Sequence, residues 1–312
     1  MTNPTVFWPA TLGVLFLVVG IITYRVDVAA LTSPGIRRFL ALGPVFVASG
    51  LAAFAGEHFT AASSLAQIVP KFMPGRLFIA YFVGVAHLAA ASSFVAKRYV
   101  RVSSICLAFM FGLFVVLMDL PAAVSRPGIR IFWILVAREA TFSIGALALF
   151  AVVTGDSRRG ASRIIATIAR LWTACVLVFY GVEHLLFPQL SPGVPSTTPT
   201  AAWVPASHAI AYVTGLLLIV CGLAMFRRQI ADSAAAWAGV LVTLLTGALY
   251  VPQFFIARSP ADQVTAINFI FDTLLFAGTL LIVGLATRIR SDDAKPSWAT
   301  ARAMRSEQPV PV

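Results

Sequence analysis

The sequence predicts an all-α, polytopic membrane protein with nine transmembrane helices, on three observations. First, 59% of the 312 residues are hydrophobic and only 11% are charged, with a mean hydropathy of +0.90. A soluble domain carries about 25% charged residues, so this chain cannot coat a globule with polar side chains. A soluble enzyme, a disordered protein and a secreted disulfide scaffold are excluded. Second, the apolar residues fall in runs close to the roughly 20 residues that cross a bilayer as a helix. Third, lysine and arginine collect in alternate connections between those runs.

The runs are 6–24, 39–58, 77–96, 102–119, 131–153, 165–186, 208–226, 233–251 and 264–287. Pro9 lies in a first turn, where its missing N–H costs nothing; Pro44 is inside a span. Arg170, near the start of the sixth run, can snorkel to the interface. The connections after spans 1, 3, 5 and 7, with the C-terminal tail, hold 17 Lys and Arg; the opposite side holds 5. This asymmetry predicts the N-terminus outside and the C-terminus in the cytoplasm. Met1 to Thr5 contains no basic residue, so the first span is expected to be a retained anchor. The polar, proline-bearing stretch 291–312 is expected to be a disordered cytoplasmic tail.

Cys106, Cys175 and Cys221 sit singly in apolar runs, which is neither a disulfide framework nor a zinc site. The net charge of +11 is accounted for by the connections, so no nucleic-acid partner is expected; the lipid bilayer is.

A repeat organises the rest. FMPGRLFIAYFVG at 72–84 matches WVPASHAIAYVTG at 203–215 at Pro74/Pro205, Ile79/Ile210, Ala80/Ala211, Tyr81/Tyr212 and Gly84/Gly215, an offset of 131. Glu57-His58 pairs with Glu183-His184 at 126, Leu120-Pro121 with Val251-Pro252 at 131, and Glu139 with Asp272 and Gly145 with Gly278 at 133. The offset changes only within connections, where insertions are tolerated. The predicted organisation is an N-terminal helix and loop (1–38), a first four-helix repeat (39–160), a second (161–290) and the tail. Four spans return the chain to its starting side, so the two repeats should be parallel.

Ionisable groups inside a span are costly and turn toward a bundle interior or a cavity. Five acids lie in spans or at their edges: Glu57, Asp119, Glu139, Glu183 and Asp272. Glu57-His58 and Glu183-His184 close the second and sixth spans. Each is either a proton-handling or ligand-binding pair, or a polar helix end that holds the following loop. Glu139 and Asp272 enter from the same side, roughly 13 Å deep at 1.5 Å per residue. Arg138, adjacent to Glu139, projects about 100° away from it on a helix, so its expected partner is a carboxylate on another span, such as Glu57. Asn268 shares a helix face with Asp272. These groups form either a structural polar cluster or a substrate or proton site.

His87 is mid-span and His208 opens the seventh span; their repeat partners are Leu218 and Leu77. Haem needs two axial ligands across helices, and only His58 and His184 match in depth; neither haem nor a metal is expected. Gly84, Gly215, Gly145 and Gly278 are expected at close helix approaches. The connection LLFPQLSPGVPSTTPTAAWVPA at 185–206 carries five prolines and no charge. It is expected to lie on the membrane surface or to act as a lid.

GVEHLLFPQLSPGVPSTTPTAAWVPASHAIAYVTG at 181–215 and FDTLLFAGTLL at 271–281 resemble the DoxX-like group of bacterial membrane proteins. The resemblance is good over 165–287, weaker over 39–153, and absent from the first span and the tail. It implies four-helix units. Because some of that group are membrane subunits linked to quinones or to sulfur oxidation, it also implies a redox association. The chain has no paired cysteines for a thiol relay.

Three functions follow as expectations. The protein is a redox-associated component binding a quinone or another apolar small molecule, working with a membrane redox partner or as a homo-oligomer. Alternatively it is a proton-coupled small-molecule transporter, or a non-enzymatic scaffold whose polar residues glue helices together. The candidate ligand- or proton-binding residues are Glu57, His58, His87, Arg138, Glu139, Glu183, His184, His208, Asn268 and Asp272; no catalytic residue is assigned.

Overall fold

The computed structural model describes residues 3–30, 35–154 and 159–292. Within them lie nine helical rods long and apolar enough to cross a membrane, and no strand beyond one isolated bridge between Leu190 and Pro199. The expected disordered tail lies outside the described residues from 293 onward; residues 291 and 292 continue the last helix instead.

The first rod is α1, Pro4–Ala30. A 3-10 turn, Gly35–Leu42, leads into α2, Gly43–Thr60, with Pro44 in its first turn where no N–H is needed. A short helix α3, Ala62–Leu65, precedes α4, Arg76–Ala96. The fourth rod joins α5, Val100–Phe114, to α6, Leu120–Ser125, and α7 is Arg130–Thr154. The second half holds α8, Arg159–Leu186, and α9, Ser207–Phe226. Then α10, Ala231–Leu245, continues into α11, Val251–Ile256, and α12 is Pro260–Asp292.

Two rods run past the proline at which the sequence pattern ends them. Pro121 and Pro252 have no N–H to give the carbonyl one turn earlier. The helix absorbs the defect with a π turn just before each proline, Val115–Asp119 and Thr246–Tyr250. The Leu120 N–H reaches the Val115 carbonyl, and the Val251 N–H that of Thr246. The two π turns are 131 residues apart. So are Gly75 and Ala206, the left-handed residues that start α4 and α9. Glycine adopts φ +64° freely, whereas Ala206 at φ +48° pays a steric cost.

The spans containing α2 and α12 are the most enclosed, with 83% and 78% of their apolar windows buried; that of α1 is 17% buried and lies at the rim. α2 packs on α12 as α8 packs on α7, and α2–α4 and α5–α7 have counterparts in α8–α9 and α10–α12. Close approach depends on small residues: a Cβ on Gly278 would sit 2.7 Å from the Gly43 carbonyl oxygen, and one on Gly84 2.8 Å from the His58 Cβ. Two ion pairs tie opposite ends of the halves together, Arg37 to Asp232 at 2.9 Å and Arg130 to Glu183.

Candidate functional site

The first half encloses a cavity of about 530 Å³, within the size range of small-molecule sites. Its walls come from the end of α2, the 65–73 connection, α4, α5 with its π turn, and α7. Most of the lining is apolar, including Val69, Met73, Val83, Met110 and Leu117. Its mouth is on the outside of the bundle: the lining residues Ile68, Phe82 and Leu113 are 62%, 59% and 38% exposed. An exposed face so apolar suits lipid better than water. The polar groups gather at the inner end, where His58, Asp119, Arg138 and Glu139 line the wall.

The His58 Nδ1–H donates to the Ala80 carbonyl at 2.8 Å, which leaves Nε2 for the cavity. Behind it stands His87, its ring centroid 5.4 Å from that of His58. His87 is 3% exposed, and neither of its ring nitrogens has a hydrogen-bond partner among the described residues. Phe54 and Phe111 flank it. The sequence pattern matches His58 in depth with His184; the fold instead sets it against His87, because α2 and α4 pack side by side at Gly84.

Arg138 spans two spaces. Its Nε and Nη2 donate to the Glu139 Oε1 at 3.3 and 3.1 Å, and its Nη1 donates to the Asp272 Oδ2 at 3.0 Å. This corrects two expectations. Arg138 does reach its sequence neighbour, because a guanidinium on three methylenes can curl back across the angle between adjacent Cβ atoms. Its partner on another span is Asp272, not Glu57. Glu57 is joined to Asn268 instead, at 3.4 Å. Glu57, Asn268, Asp272 and Arg138 line a second cavity of about 330 Å³ between the halves, with Thr265 and Ser196. Arg138 therefore forms part of the partition between an apolar space and a polar one.

The second half treats the same positions differently. The counterparts of Met110, Phe114 and Asp119 are Leu241, Leu245 and Tyr250. Here Leu245, Leu249 and Tyr250 pack with Val204, Ala201 and Ile210 from the 187–206 connection and the start of α9. Residues 191–195 of that connection are buried rather than laid on the membrane surface. Tyr250 stacks on Phe269 at 5.0 Å, and its hydroxyl donates to the Pro192 carbonyl. His184 completes the lock: its Nδ1–H donates to the Tyr180 carbonyl at 2.6 Å, and its Nε2 accepts the Gly193 N–H at 2.8 Å. Glu183 pairs with Arg130, whose other Nη donates to the Ser196 carbonyl at 2.6 Å while its guanidinium lies over the Phe187 ring. Glu183 and His184 are thus the loop-holding pair that the sequence admits as one alternative. His208 is exposed at the start of α9 and lines neither cavity.

Three positions of the site are missing from the candidate residues. Asp119 is named only among the five acids in or beside spans. Its Oδ2 is buried with no hydrogen-bond partner among the described residues. Arg130 looks like an ordinary connection residue, and Tyr250 like an ordinary core aromatic. No group of three or more His, Cys, Asp or Glu placed to hold a metal occurs among the described residues. Comparison with family models, curated proteins and solved structures gives no match.

Proposed function

We propose that this membrane protein binds an apolar small molecule with a polar head in the lipid-facing cavity of its first half. One observation carries the proposal: a space of about 530 Å³ that opens past the exposed apolar side chains of Ile68, Phe82 and Leu113 and has His58, Asp119, Arg138 and Glu139 in its lining. A ligand dissolved in the bilayer would enter sideways past Phe82 and Leu113, tail among the methionines and leucines, head against the polar end. A quinone is one member of this class. The redox association and the kinship with the DoxX-like group rest on the sequence resemblance. The paired π turns and paired left-handed helix starts favour an origin of the two halves by duplication. Parallel repeats follow from four spans in each, an outside N-terminus from the basic-residue asymmetry, and a bacterial inner membrane from the resemblance; the cavity then lies in the outer leaflet.

The test is native mass spectrometry of the full chain in lipid nanodiscs, with decylubiquinol as the added probe. A bound apolar species or saturable probe binding is expected, and Leu113→Trp should abolish it while the protein remains folded. Undiminished binding in Leu113→Trp, or none in the wild type, refutes the proposal.

A second reading is favoured by the shared Arg138. A polar space and an apolar one meet at the Glu139–Arg138–Asp272 cluster, as proton-coupled transport would require. There, Asp272→Asn should stop substrate flux in proteoliposomes without unfolding the bundle; unchanged flux removes the reading.

A further inference from the structure

The polar end of the first-half cavity is unusual in what it offers a ligand. Its ionisable lining groups are His58 from α2, Asp119 from the π turn, and Arg138 and Glu139 from α7; α4 and the 65–73 connection contribute none. One cation therefore faces two carboxylates. The cation is also already engaged, since three nitrogens of Arg138 donate to Glu139 and Asp272. A guanidinium has five N–H donors and no acceptor, and three of these five are spent on the protein's own acids. The carboxylate left without a cation of its own is Asp119, which lines the cavity and whose buried Oδ2 has no hydrogen-bond partner among the described residues.

We infer that the cavity selects amphiphiles whose head donates hydrogen bonds, an alcohol, phenol or ammonium, and rejects those whose head is an anion. The inference rests on the binding role proposed above and names the class of ligand. A donor head can hydrogen-bond the Asp119 carboxylate, which has no cation of its own and one oxygen without a partner among the described residues. A carboxylate head would bring a third negative charge beside Asp119 and Glu139, with no free cation to receive it, so like-charge repulsion adds to its desolvation. The equivalent place in the second half supports this chemistry. There Tyr250 occupies the position of Asp119 and gives its hydroxyl proton to the Pro192 carbonyl of the inserted connection. Where the cavity is filled by protein, the acceptor has become a donor with its own partner.

The experiment compares dodecanol, dodecylammonium and dodecanoate as competitors of decylubiquinol, whose phenolic head donates two hydrogen bonds, on the full chain in nanodiscs of neutral lipid. Dodecanol and dodecylammonium should each compete at least tenfold more effectively than dodecanoate. Any apolar cavity disfavours an anion, so Asp119→Asn supplies the control: it removes one negative charge and should narrow the gap between dodecanol and dodecanoate several-fold. Asp119 makes no ion pair among the described residues, and an unshifted thermal transition would show that the variant folds; should it not fold, Glu139→Gln carries the same comparison. Equal competition by dodecanoate overturns the inference, as does a gap that persists undiminished in the folded variant. Failure of all three amphiphiles and of decylubiquinol would instead refute ligand binding itself.

Discussion

The two halves of this protein build the same corner of a four-helix unit and use it in opposite ways. In the first half the 61–75 connection passes over the corner and leaves a cavity lined by His58 and Asp119. In the second half the connection is longer by five residues between matched motifs, and it folds inward. Val194 and Val204 are 3% and 7% exposed, and Tyr250 and His184 are both hydrogen-bonded to its backbone. One Glu-His motif thus lines a space, and the other fastens a plug. A motif that occurs twice is therefore no guide to function at both places; what its side chains meet decides.

This contrast can be broken experimentally. The largest effect is expected at Arg130. Arg130→Ala leaves Glu183, 7% exposed, without its cation, and losing one partner of a buried pair costs about 3–5 kcal/mol. Denaturant unfolding in detergent should record that loss, and proteolysis should cut the 187–206 connection sooner. Gln263, at the matching position of α12, has no such duty, so Gln263→Ala should stay within about 0.5 kcal/mol of wild type. Similar losses in both variants would contradict a clamp confined to one half.

His184→Ala comes next. It strands the Gly193 N–H, and a buried unsatisfied group costs about 1–3 kcal/mol. His58→Ala removes one bond, to Ala80, beside an open cavity, and should cost no more than about 1 kcal/mol while weakening decylubiquinol binding. Paired unfolding and binding measurements on the two variants should give opposite orders of effect. Tyr250→Phe should cost about 1 kcal/mol through the lost bond to Pro192, read as a lower unfolding midpoint with first-half binding unchanged. The smallest stability effect belongs to Asp119→Asn. Its Oδ2 has no hydrogen-bond partner to lose among the described residues, so stability should shift by less than about 0.5 kcal/mol. A large destabilisation would mean that Asp119 holds the π turn rather than serving the cavity.

Much of the fold is legible in the sequence, because crossing a bilayer demands long apolar helices whose backbone groups are satisfied internally. The nine runs correspond to nine rods among the described residues. Their ends are less legible: the runs stop near Pro121 and Pro252, yet the rods continue for several residues, since a π turn lets a helix tolerate a proline. Candidate site residues are partly legible. Rarity in apolar sequence singles out Glu57, His58, His87, Arg138, Glu139, Asn268 and Asp272, and the fold does bring them to two adjoining cavities or directly behind one. The same rarity singles out His208, which is exposed, because rarity says nothing about direction.

By itself the sequence determined the membrane class, the number of rods and the residues too polar for lipid, since these follow from composition and the cost of burying charge. Only the tertiary structure decided which polar groups meet. Helix rotation and crossing position pair Arg138 with Asp272 and His58 with His87. It also decided which half keeps an empty corner and which fills it. Both outcomes depend on contacts between segments far apart in the chain, and periodicity along one helix carries no record of them.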